Sequence, residues 1–281
     1  MSVTDLSPPK SKIGALRATL LALLEEHERD GMIPTNARFL FYELVQRGRL
    51  SKEKTGARRP DQDLHEALFD IREDGRIPWD WIIDETRSVE DFTGHPTIRQ
   101  GVLARLPHIK LDPWCDRAPF ILTESRSLAG VLRSIVSEYR ARITSINGQC
   151  GGFLRTDIAP LLRPHDRVLY LGDHDWSGNQ IEANARRVLE RKAGLLRWER
   201  LALTEEQVRE YDLPVIVKHD RRYKDGRPHQ AVETEAISQR VLIDILRARL
   251  DALLPEALSR VLEREQRQRK RFNTTIQGRS N

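Results

Sequence analysis

The sequence predicts an α/β protein in which a helical N-terminal module precedes a mostly parallel sheet. Early in the chain, apolar residues recur at helical spacing between cap and turn residues. From Phe120 onward, short apolar runs alternate with helical patterns, the order that builds a parallel sheet with helices on both faces. Two of these runs are followed by carboxylates, Glu124 and Asp173, at the strand edge where open parallel sheets bind ligands.

Residues 1–10 hold Ser, Pro and Lys with little to pack, and read as a loose leader. From Ile13, Leu16, Leu20, Leu23 and Leu24 keep a helical period until Gly31. Pro34-Thr35-Asn36 starts a second helix over 37–47, stopped by Gly48. A basic stretch leads to a third helix over 63–73, with Leu64, Leu68 and Ile71 on one side. After the turn Asp74-Gly75-Arg76, the runs Ile77-Pro78-Trp79 and Trp81-Ile82-Ile83 predict a short extended ribbon. Three helices followed by a ribbon is the order of a winged helix. Residues 91–112, rich in Gly and Pro, read as a linker with one short helix.

The second half opens with strand 120–123 and a helix carrying Leu128, Val131, Leu132, Ile135, Val136 and Tyr139. Strands follow at 143–146 and 167–171, then a polar helix over 179–192. Leu201-Ala202-Leu203 and Val215-Ile216-Val217 close the strand series, and from Ala236 the pattern is helical. There is no internal repeat.

The chain has 281 residues, 47 basic against 42 acidic, and a net charge of +5. That balance points only weakly to a polyanion; placement says more. Arg47, Arg49, Lys52, Lys54, Arg58 and Arg59 form one cluster. Arg260, Arg264, Arg267, Arg269, Lys270 and Arg271 form another, and both suit a phosphate backbone or simply a solvated face. Cys115 and Cys150 have neither zinc nor redox spacing. No apolar run approaches a membrane span and no signal-peptide pattern opens the chain, so a reduced, cytoplasmic and nucleoid-associated setting is expected, with no membrane partner.

Asp173-His174-Asp175 places two carboxylates on one side of an extended segment, between Gly172 and Gly178. Hard oxygen donors without a cysteine pair favour Mg²⁺ or Mn²⁺ over zinc. The competing reading of such a pair is a turn or a helix cap. Glu124 upstream makes the metal reading the stronger one, with Glu124, Asp173 and Asp175 as ligands. His174 is a neighbour rather than a ligand. Lys218, Arg221, Arg222 and Lys224 are candidates for a DNA path, Asp84 and Arg87 for a pair within the wing, and the five tryptophans for core. Trp176, inside the acidic loop, is the tryptophan placed to touch substrate.

Glu124 after one strand, and the run from Gly172 to Gly178 after another, resemble the Toprim fold of topoisomerases, primases and related nucleases. The runs 201–208 and 211–214, with Glu233-Thr234-Glu235-Ala236-Ile237, resemble the A subunit of topoisomerase VI. The meiotic double-strand-break transesterase and the Toprim subunit of Wadjet-type plasmid defence belong to the same broad group. The resemblance runs from about Pro34 to Leu250. It implies a winged-helix DNA-binding domain over 11–90, a linker over 91–114, a Toprim domain over 115–235 and a basic helical extension over 236–281.

The same resemblance implies a catalytic tyrosine within Arg38-Phe39-Leu40-Phe41-Tyr42. Tyr42 would attack a phosphodiester of double-stranded DNA, with Arg38 steadying the phosphate, and a homodimer would pair each tyrosine with the partner's metal site. On a helical wheel Tyr42 falls roughly 40° from Arg38, at the edge of the apolar arc, which predicts a surface position. The chain has no P-loop and no ATPase module, so strand passage would need a separate ATPase subunit. The expected function is Mg²⁺-dependent DNA cleavage by tyrosine transesterification. The alternatives are a hydrolytic Toprim endonuclease without covalent intermediate and a non-catalytic DNA-binding subunit.

Overall fold

The structure, a computed structural model, describes residues 12–51, 60–83, 93–148, 150–218 and 229–278. Helices α1 (Lys12–Arg29), α2 (Ala37–Gln46) and α3 (Pro60–Glu73) close over Leu20, Leu23, Leu24, Leu40, Leu44, Leu64 and Leu68. The Asn36 side chain caps α2 by accepting the amides of Arg38 and Phe39. Gly48, at φ +65°, ends the helix in a conformation that costs glycine least. The predicted ribbon differs. Trp79–Trp81 is a 3-10 turn, and among the described residues Ile82 joins Thr35 in a single isolated parallel bridge. Pro78 explains part of this, since its missing N–H cannot serve a ladder. The leader, the basic residues 52–59, Asp84, Arg87, Arg221, Arg222 and Lys224 lie outside the described residues.

The stretch expected to be a linker with one short helix carries α4 (Ile98–Arg105), capped by Thr97. Then come β1 (Phe120–Thr123), α5 (Arg126–Glu138) and β2 (Arg142–Ser145). A short α6 (Gly151–Phe153) runs into further helical turns to Leu161 and leads to β3 (Arg167–Leu171). The chain continues through α7 (Trp176–Ala193), β4 (Arg197–Ala202) and α8 (Glu205–Glu210). The hairpin strands β5 (Ile216–Lys218) and β6 (His229–Ala231) precede α9 (Gln239–Leu253) and α10 (Leu258–Gly278).

The main sheet is parallel throughout, in the order β2-β1-β3-β4. Its central strands are apolar on both faces because both faces are covered. Ile121, Leu169 and Leu171 pack with α5 and α9, whereas Phe120, Leu122, Val168 and Tyr170 pack with α7 and the turns after α6. The fold is therefore α/β, with helices on either side of a parallel sheet.

Two predicted elements differ here. The run 215–217 does not extend the main sheet; β5 pairs antiparallel with β6 in a separate hairpin. A three-residue strand cannot show from its own sequence which edge it will join. The C-terminal helix starts later than Ala236, because Thr234–Ala236 is a 3-10 turn and Ser238 caps α9.

The N-terminal module docks on the sheet through α2. Thr35 Oγ1 donates to Gln239 Oε1 at 2.6 Å, and Asn36 Nδ2 to the Ser127 carbonyl at 2.9 Å. Both contacts lie near the starts of α9 and α5, on the side of the sheet where β1 and β3 end. The basic helix α10 lies at the other end. Glu265 holds Arg140, just beyond the C-terminus of α5, at 2.8 Å. Among the described residues no helix is long and apolar enough to cross a membrane.

Candidate metal centre

Strands β1 and β3 are hydrogen-bonded neighbours, and Thr123 pairs with Leu171 at their C-terminal ends. The next residues therefore emerge side by side. Glu124 N–H donates to the Leu171 carbonyl at 2.9 Å, and Gly172 N–H to Ala202 at 2.8 Å. Beyond them the Asp173 N–H donates to Glu124 Oε2 at 3.0 Å. A parallel register thus brings together two acids 49 positions apart.

Asp175 begins α7. Its Oδ1 accepts the Gly178 amide at 2.6 Å, so this carboxylate is the helix N-cap and is buried. The capping reading of the D-x-D pair is correct for Asp175. Gly178 itself allows close approach: a Cβ there would run into the Asp173 carbonyl and stand 3.1 Å from Glu124 Oε2. Trp176, the first residue of α7, is exposed beside the acids.

Arg200 on β4 braces this loop from beside the sheet. It donates to the Leu203 carbonyl at 2.6 Å and to the Asp173 carbonyl at 3.3 Å, while Glu182 accepts from its Nε at 2.7 Å. Tyr170 lies beneath, fully buried, with its hydroxyl unpartnered among the described residues. A Cβ on Gly172 would stand 2.5 Å from that hydroxyl, so the phenol reaches under the loop. Burial, and then the charge of Glu124, hold this phenol well above its ordinary range.

A second acidic stretch arrives from the hairpin. His174 and Val232 exchange backbone hydrogen bonds at 2.9 and 3.1 Å. Thr234 then donates both its amide and its hydroxyl to Asp173 Oδ1, at 2.9 and 3.0 Å. Arg38 of α2 meets the neighbours of Thr234: its Nη2 lies 2.9 Å from Glu233 Oε2 and its Nε 3.1 Å from Glu235 Oε1. Glu235 is buried and also accepts from Ser125 and Ser127. Desolvation opposes the charge on Arg38, but Glu235, Glu233 and Asp173 outweigh it and raise the guanidinium pKa.

Negative charge dominates around Glu124. Burial is the first cause that lifts its carboxyl, and the charge of Asp173 the second. The Asp173 amide pulls the other way, Asp175 adds to the rise, and Arg200 opposes it. The result is a carboxyl raised to about 7.

Each of the three expected ligands has a carboxylate oxygen already engaged within the protein. Among the described residues no group of three or more His, Cys, Asp or Glu side chains is arranged to hold a metal ion. Asp173 Oδ1 is committed to Thr234 and Asp175 Oδ1 to the α7 amide. A magnesium ion does not require three protein ligands, since it commonly keeps several waters and takes one or two carboxylates plus phosphate oxygens. Glu124 and Asp173 fit that smaller demand. Their oxygens are hard donors, Arg200 and the Asp173 amide offset the negative field at Glu124 only in part, and an orphaned hydroxyl lies under the same loop.

Tyr42 does not sit at the surface as its place on the wheel predicts. It is 6% exposed, in the same apolar cluster as Phe39, Trp114 and Leu242, with its ring edge-on to Phe41. The wheel treats the helix as facing one core, whereas α2 lies between two: Leu40 and Leu44 face the N-terminal cluster, Phe39 and Tyr42 the sheet cluster. Of the tryptophans, Trp114 is buried, Trp81 and Trp198 are half-buried, and Trp79 is exposed along with Trp176. Arg200, Tyr170 and Thr234 escape a reading of the sequence. An arginine in a strand, a tyrosine in an apolar run and a threonine between two acids have no distinctive spacing.

Compared with family models, with curated proteins and with solved structures, the chain matches none.

Proposed function

We propose that this protein is a Mg²⁺- or Mn²⁺-dependent DNA endonuclease of the Toprim kind, with a winged-helix-like N-terminal module, that cleaves phosphodiester bonds by hydrolysis. The observation that carries the reading is the juxtaposition of Glu124 and Asp173 at the ends of adjacent parallel strands, with the Glu124 carboxyl lifted to about 7. Surplus negative charge on a half-buried rim is unfavourable in isolation and favourable once a cation enters. The ion would supply positive charge to the phosphate oxygens in the transition state.

Glu124 and Asp173 would hold that ion, and Asp175, which caps α7, would add its negative field. Arg200 keeps the loop in place through the carbonyls of Asp173 and Leu203. The attacking water gives up a proton to solvent. The new bond joins the water oxygen to phosphorus, the bond to the leaving oxygen breaks, and that oxygen takes up a proton from solvent.

Burial of Tyr42 favours water over tyrosine as the nucleophile, because a phosphodiester cannot reach a phenol in the core while α2 stays docked. Transesterification through Tyr42 is the second reading. It draws support from α2 itself, which brings Arg38 and Tyr42 to the segment that also touches Asp173. It requires α2 to leave the Glu233–Glu235 contacts and to act on DNA within a homodimer, with a separate ATPase if strands are passed.

Incubation with linear duplex DNA and Mn²⁺, followed by a denaturing gel, tests the proposal. Free cut ends are expected. Protein covalently attached to DNA would transfer the case to Tyr42, and intact DNA would leave only a DNA-binding subunit.

A further inference from the structure

The segment between the β5–β6 hairpin and α9 lies along the acidic loop. Val232 is bound to His174 through paired backbone hydrogen bonds, and Glu233 and Glu235 are held by Arg38. Between those two acids, Thr234 is 1% exposed and directs two donors at a single oxygen, Asp173 Oδ1. The last torsion of an aspartate is broad and roughly two-fold, so an unrestrained carboxylate spreads its oxygens over many directions. Two hydrogen bonds to one oxygen narrow that spread. They commit Oδ1 to the strap and thereby set the direction in which Oδ2 lies. Branching at Cβ also stiffens Thr234, so its hydroxyl is aimed rather than searching.

We infer that Thr234 is a positioning residue for the cation, fixing the rotation of the Asp173 carboxylate so that it meets the ion from a single direction. The inference rests on the magnesium reading proposed above. Outer partners of this kind typically alter metal affinity by about 10- to 100-fold when removed. The Thr234 amide survives any side-chain substitution, so the lower end of that range is expected here.

Mn²⁺ binding to the full chain, followed by loss of the free-ion electron paramagnetic resonance signal, tests this without reference to cleavage. Thr234→Val keeps the shape and removes the hydroxyl; it is expected to weaken Mn²⁺ binding about tenfold. Thr234→Ser restores the donor and is expected to bind within about threefold of the parent. Unchanged affinity in Thr234→Val overturns the inference, and so does a loss of thermal stability without a loss of affinity. If Thr234→Val does not fold, Thr234→Ala set against Thr234→Ser makes the same comparison. Asp173→Asn separates the two layers. Weak binding in that variant beside normal binding in Thr234→Val sinks the positioning role alone; parent-like binding in Asp173→Asn removes the cation site, and this inference with it.

Discussion

The amide of Asp173 donates to the carboxylate of Glu124 across two adjacent parallel strands, at 3.0 Å. With the bond from the Glu124 amide to the Leu171 carbonyl, this hydrogen bond joins the two strand ends that form the acidic rim. It compensates Glu124 only partly, since burial and the neighbouring charges still raise the carboxyl from 4.5 to about 7.

That shift has a sign. The folded chain holds a proton on Glu124 that the unfolded chain releases near pH 4.5. Stability is therefore fully present below that pH and is lost as pH rises through about 7, by roughly 3 kcal/mol at most. Thermal unfolding in chelator should show this decline. Glu124→Gln should flatten it, and added Mg²⁺ should restore stability at pH 8. A profile identical in Glu124→Gln and the parent would show that Glu124 does not titrate in this range.

Asp175 combines a structural and an electrostatic role, and two substitutions separate them. Asp175→Ala removes the α7 cap and should cost about 1 kcal/mol in urea unfolding. Asp175→Asn keeps a capping oxygen and removes only the charge. Near-parent stability together with cleavage reduced at least tenfold is the expected pattern for Asn. Full cleavage by the Asn variant would confine Asp175 to capping.

Arg38 meets Glu233 and the buried Glu235, and Glu235 keeps two serine donors if the arginine is removed. Arg38→Ala should therefore destabilise the fold by about 1–2 kcal/mol, less than a wholly buried pair would, because the arginine side chain is 43% exposed. Chemical denaturation measures this directly. A neutral effect would mean that α2 is held by its apolar side alone.

Tyr42→Phe separates the two nucleophiles. Under hydrolysis, cleavage should stay within about twofold of the parent, because only a hydroxyl in the core is lost. If the tyrosine attacks, both cleavage and any covalent adduct vanish. Products run with and without protease on a denaturing gel distinguish these outcomes.

Much of the chain's local order was legible in its sequence. The runs at Phe120 and Arg167 became the central strands, the period from Leu128 to Tyr139 became α5, and Glu124 and Asp173 were placed at the correct ends of their strands. These features depend on neighbours a few residues apart, where periodicity and capping chemistry act. What lies across the chain was not legible. The burial of Tyr42 depends on a second core that α2 meets only after docking, and β5 was free to join either of two sheets. Thr234 reaches Asp173 across 61 positions, and Arg38 reaches Glu233 across 195. Sequence thus determined which acids could form a rim, since strand register and alternation are local. Tertiary packing alone decided which of their oxygens were already taken, because hydrogen-bond partners are assigned by proximity in space.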